Sequence, residues 1–138
     1  MLQSIHSTLA YAVLAILVLV TINAFLGLLA KRKFTSKDRS ISLIALIFSH
    51  IQLLVGIVVW MVSPLGKAAM SQMSNSAMRL TAMEHPLINI IAIVVITIGW
   101  SKHKKEESSN GKFKKIGIFY TLGLLLILSR IPWTNWLA

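Results

Sequence analysis

The sequence predicts an all-α integral membrane protein, a four-helix bundle running up-down-up-down with both termini on the non-cytoplasmic side. Three observations carry that reading: four long apolar runs, a scarcity of charge, and basic residues gathered into two short segments. Of the 138 residues, 56% are hydrophobic and 13% charged, a balance that a water-soluble domain of this size could not hide inside itself. Four spans and their connections use nearly the whole chain, so one domain over 1–138 is expected.

The first apolar run, Leu9 to Leu29, has 21 residues and the second, Ile41 to Val62, has 22, against roughly 20 needed to cross the hydrocarbon core. The third, Leu87 to Trp100, has only 14. Its helix must therefore start earlier, near Thr81, which draws Glu84, His85 and Pro86 into the outer membrane. Pro86 then falls in the first turns, where a missing backbone donor costs least. Run four, Ile116 to Trp133, carries Arg130 near its end and spans if that side chain reaches the interface. The expected spans are about 8–30, 41–63, 81–101 and 115–133.

Orientation follows from charge. The net charge is +10, and Lys31 to Arg39 holds five Lys or Arg while Lys102 to Lys115 holds six. The loop from Ser63 to Leu80 has only Lys67 and Arg79. Positive loops stay cytoplasmic, so this excess reports topology rather than a nucleic-acid surface. Trp60, Trp100, Trp133 and Trp136 fall near expected interfaces. Nothing basic precedes the first run and no cleavage motif follows it, so it reads as a retained helix. With no cysteine in the chain, disulfides, thiolate metal sites, iron–sulfur clusters and covalently attached haem are excluded.

Along span two, Ser42, Ser49, Gly56 and Ser63 recur every seventh residue, with Gln52 between the second and third. Such a small, polar stripe faces protein, because lipid offers helices no hydrophobic drive to associate and leaves close approach and hydrogen bonds to hold them. Asn23 and Gly27 on span one, and Gly117, Thr121 and Gly123 on span four, are matching close-contact sites.

The histidines need a chemical reason. His50 lies about 14 Å along span two from Ile41, near mid-membrane, where a charged imidazole would cost on the order of 3 kcal/mol. It should be neutral, with both ring nitrogens given partners, through a neighbouring helix or a metal or haem iron. His85 stands beside Glu84, with Asn89 four residues on and Thr81 four before, making one helical face polar. Two readings apply: an interfacial ion pair of Glu84 with Arg79 or Arg130 and a capping His85, or a neutral imidazole ligating b-type haem iron with the outer arginines on the propionates. His6, ahead of span one, is the weakest of the set, and His103, amid Lys102, Lys104 and Lys105, reads as solvated. His50 and His85 are not level along antiparallel spans, at roughly 14 and 22 Å from the cytoplasmic ends. Tilts of about 20° would close that gap. His6 with His85 is the competing pair.

Several segments together resemble short four-span bacterial membrane proteins labelled cytochrome b-like. They are His6-Ser7, His50-Ile51-Gln52-Leu53-Leu54-Val55-Gly56, Arg79 followed by Glu84-His85-Pro86, and Ser129-Arg130-Ile131-Pro132-Trp133. The resemblance implies a bundle in the bacterial inner membrane with haem b between histidines, and carries His50 and His85 over as ligands. That family often has an arginine after His-Ser, where this chain has Ala10 and Tyr11.

The leading expectation is a b-type haem protein passing electrons within the bilayer, with quinone or another membrane subunit as partner. The alternatives are a non-catalytic accessory or assembly subunit, and copper or zinc handling by His6, Glu84 and His85, for which no recognisable ligand spacing exists. Four acids, three of them in cytoplasmic loops, do not assemble a hydrolytic or transferase site. An oligomer of the chain is a further partner reading.

Overall fold

Residues 2–133 are described in a computed structural model. Their elements are α1 (Leu2–Leu29), α2 (Ser36–Val62), a 3-10 turn at Lys67–Gln72, a short α3 (Ser76–Arg79), a π-helical turn at Leu80–Glu84, α4 (His85–Lys105) and α5 (Ser109–Ser129). Among the described residues there is no strand. Trp136 lies outside them.

Three helical stretches are long and apolar enough to cross a membrane: Leu2–Leu29, Ser36–Val62 and the continuous Ser76–Lys105. Helix α5 differs. Its first two turns hold Lys112, Lys114 and Lys115, and the helix stops at Ser129 rather than continuing to Trp133. The apolar part from Ile116 is therefore about 21 Å long, short of a hydrocarbon core of roughly 30 Å.

The four long helices close a ring in which α1 packs on α2 and α5, and α4 packs on the same two. Short connections make chain neighbours antiparallel. Leu17, Val20, Ala24, Ala45, Ala92, Ile96, Phe113, Ile116 and Tyr120 fill the middle. The heptad stripe of α2 faces inward as its composition requires, with Ser42 and Ser49 buried and each hydroxyl donated to the carbonyl four residues back. Tyr120 crosses the core from α5 to donate to the Ser42 carbonyl at 2.8 Å. Close approach is visible at Gly123, where an added Cβ would collide with Ile96 Cγ1 and stand 3.1 Å from the Ala92 carbonyl oxygen. Gly27 similarly leaves room for the Phe113 ring.

At the end that carries both basic loops, each helix terminus is closed by local chemistry. Helix α1 ends in a Schellman turn, with Arg32 N–H on Gly27 O at 3.0 Å and Lys31 N–H on Leu28 O at 3.3 Å. Its left-handed position, φ 53°, is held by Lys31 where glycine is usual. Helix α2 starts on Thr35, whose N–H donates to Asp38 Oδ2 at 2.8 Å. Ser108 caps α5 by accepting from Gly111 N–H, and Phe34 N–H reaches Ser109 Oγ across the two loops.

The opposite end is irregular. The helix that enters α4 already begins at Ser76, so Pro86 sits ten residues inside it rather than in its first turns. A proline there removes the donor that would serve the carbonyl four residues back, and that carbonyl, Ala82 O, instead accepts Trp60 Nε1–H at 2.7 Å. The π turn immediately before it lets His85 N–H bond Leu80 O, five residues back.

Candidate functional site

The polar residues singled out from sequence meet mostly at this irregular end. His6 on α1 and His85 at the head of α4 face each other edge to face, their ring centroids 6.4 Å apart. His85 Nδ1 lies 3.0 Å from the Arg130 carbonyl oxygen. A carbonyl only accepts, so Nδ1 carries the proton and Nε2 keeps its lone pair. The Asn89 amide donates to the His85 carbonyl at 2.6 Å and flanks the same ring nitrogen at 3.1 Å.

His6 is not the solvated terminal histidine its position suggests. Its ring packs over Gly56, where an added Cβ would come within 3.0 Å of His6 Cε1. Gln52 reaches from α2 to donate to the His6 carbonyl at 2.9 Å. His6 Nδ1 and Gln52 Oε1 are both buried and make no hydrogen bond of full geometry, although the Gln52 side chain also reaches the His6 imidazole. Among the described residues the third such atom is Thr21 Oγ1, about two-thirds of the way along α1 toward the basic end. A buried polar atom left unpaired is costly because it has given up its bonds to water.

Glu84 is claimed by both arginines, with Arg79 Nε at 3.0 Å from Oε2 and Arg130 Nε at 3.6 Å from Oε1. Arg79 also donates to Met73 O at 3.0 Å, pinning the connecting loop. This is the interfacial ion pair expected from sequence, widened to three members. It removes Glu84 from the His6–His85 pair, and among the described residues no three His, Asp or Glu side chains gather as a metal-ligand set.

His50 stands apart from the other two. Its Nδ1–H bonds Leu46 O on its own helix at 2.8 Å, and its ring is exposed on the bundle surface. There it lines a groove of about 340 Å³ with Leu53, Ile90, Ile93, Val94, Thr97 and Ile98. The middle of that α4 segment lies about 13 Å along the helix from His85, so the axial offset noted between these two spans is real. The structure brings His85 together with His6 and leaves His50 looking out of the bundle.

Sequence reasoning missed two groups at the basic end. His103, expected from its lysine neighbours to be solvated, is 1% exposed. Its Nδ1–H donates to Trp100 O, and its ring packs between Trp100 and Phe34. Lysine neighbours in the sequence hid this, because α4 continues past Trp100 and turns the fourth residue of that turn inward. Asp38, 3% exposed, accepts from Asn23 Nδ2 at 2.9 Å and Arg32 Nη1 at 3.3 Å besides Thr35. The Thr35-x-x-Asp38 capping pattern was the available signal.

No family model, curated protein or solved structure matches this chain, so its chemistry is read from its own side chains.

Proposed function

We propose that the chain crosses the bilayer four times, both termini outside, and holds haem b through His6 and His85 as a membrane electron-transfer protein. The observation that carries the ligand assignment is the closeness of the His6 ring, whose Nδ1 makes no well-formed hydrogen bond, to a His85 ring whose own Nδ1 is tied to a carbonyl. Metal-ligating histidines commonly donate their other N–H in that way, which fixes the tautomer and presents a lone pair. Were haem bound here, these two imidazoles, with ring centres 6.4 Å apart, would be the side chains to hold it. Arg79 and Arg130 against one Glu84 leave a surplus positive charge for a propionate.

Bound haem would supply one-electron exchange. The residues here orient the imidazoles, keep them neutral by excluding water, and balance charge at the membrane surface. Quinone is the electron partner this reading favours, since the lipid-facing groove at His50 presents one nitrogen acceptor among aliphatic side chains. The fourth crossing is supported by α5 lying between α1 and α4, with Ile116, Tyr120, Leu124 and Ile127 buried against them. Its lysines extend their stems to the surface.

The test is a reduced-minus-oxidised spectrum of detergent-purified, haem-supplemented protein. A Soret and a sharp alpha band are expected in the wild type and in His50→Ala, and neither in His6→Ala nor His85→Ala. An empty wild-type spectrum rejects haem, and a band that survives His6→Ala rejects this ligand pair. A second reading, an accessory subunit, is favoured by the Glu84 clamp and the His85–Arg130 bond, which weld the outer end without any cofactor. It predicts colourless protein.

A further inference from the structure

The basic end contains a second built feature that electron transfer does not use. A cavity of about 320 Å³ opens between the α1–α2 loop and the adjoining ends of α2, α4 and α5, lined by Phe34, Thr35, Ser36, Arg39, His103, Lys104 and Lys112. The positive-inside bias accounts for basic residues in these loops. It does not account for three of them converging on one concavity.

Among the described residues none of the three is in an ion pair. The described ion pairs engage Arg32, Arg79, Lys115 and Arg130, and not Arg39, Lys104 or Lys112. The nearby Asp38 carboxylate is taken up by Asn23, Arg32 and Thr35. The cations are held in place. Arg39 and Lys104 lie over the Trp100 ring, at 5.3 and 5.9 Å from its centroid, and Lys112 Nζ donates to His103 O at 3.1 Å. The first turn of the 27-residue α2 borders the same space at Ser36, while its helix dipole is answered by Asp38 in the capping box. Buried His103 and half-buried Phe34 give the cavity a firm, partly apolar wall.

We infer that this cavity binds the phosphate of an anionic phospholipid headgroup, with Arg39, Lys104 and Lys112 as its cationic contacts and Ser36 as a hydroxyl donor. A basic pocket between helix ends at the cytoplasmic surface has the chemistry that headgroups require. The lipid is favoured over free phosphate because the helices forming the pocket run directly from it into apolar spans, where acyl chains lie. This inference rests on the membrane reading and its orientation, not on haem.

Native mass spectrometry of the full-length protein, released from detergent in the presence of phosphatidylglycerol or phosphatidylcholine, tests it. Wild type should retain phosphatidylglycerol at least tenfold more tightly than phosphatidylcholine. Arg39→Gln with Lys112→Gln should abolish that preference, whereas Lys33→Gln with Lys37→Gln, an equal charge loss outside the pocket, should change it less than twofold. Arg39→Lys should keep it, which guards against misfolding as the cause. Inorganic phosphate titrated against lipid-free protein separates the sources: failure to bind supports the headgroup, and pocket-dependent binding tighter than that of the lipid overturns it in favour of a free anion. Equal losses in both double variants, or no preference in the wild type, also overturn the inference.

Discussion

The two ends of this bundle treat buried polarity in opposite ways. At the basic end Asp38 is almost fully buried and every bond it accepts comes from a neighbour placed for the purpose, while the helix termini are closed by a Schellman turn, a capping Thr35 and a capping Ser108. At the histidine end a π turn, a proline inside a helix and two buried atoms without a hydrogen bond of full geometry are tolerated together. Saturated polar groups act as fixed structure. Unsaturated ones are the places where a further partner would gain most.

That contrast is open to direct attack, most severely at Asp38. Asp38→Ala strips an acceptor from Arg32, Asn23 and the Thr35 amide at once and should destabilise the bundle by about 3 kcal/mol in reversible SDS titration, as for breaking a buried, hydrogen-bonded charge. A loss below 1 kcal/mol would mean that the basic end is not the structural anchor. Overpacking comes next: Gly123→Leu must displace Ile96 and meets the Ala92 carbonyl, at a cost of about 2 kcal/mol by the same titration. At the irregular end, Trp60→Phe leaves Ala82 O without its donor and should cost about 1 kcal/mol, the scale of a hydrogen bond within a membrane. Faster hydrogen exchange confined to 80–87 would accompany it, and unchanged exchange would show that the carbonyl finds another partner. The smallest effect expected is a gain. Lys31→Gly relieves a left-handed side-chain position and should stabilise by about 0.5 kcal/mol, against the entropy that glycine loses on folding.

Topology sharpens the comparison independently of energetics, because the chain has no cysteine of its own. Single cysteines at Ser74 and Ser108 should label from opposite sides of the membrane, Ser74 from outside with an impermeant maleimide and Ser108 only after permeabilisation. Labelling of both from one side would remove α4 as a crossing.

Much of this architecture was legible in the chain. Hydropathy located the long helices, and the seven-residue stripe on α2 correctly marked the face that meets protein, because small residues are the ones that let backbones approach in lipid. The pairing of Glu84 with the outer arginines also followed from opposite charges gathered at one expected interface. Two matters were harder. Where α5 stops depends on how the chain turns at Arg130, whose carbonyl is drawn to His85 across the bundle. The burial of His103 depends on the loop bringing Phe34 over it.

The chain by itself determined which helices are long and apolar enough to cross a membrane and where the basic residues gather, since both follow from summed transfer energies and charge, which are local and additive. Which imidazoles meet was decided only by tertiary structure. Helix rotation and axial stagger place His6 against His85 and turn His50 outward, and those two variables are fixed by interlocking contacts such as Gly123 on Ile96 and Gly56 under His6, not by any residue's own preference.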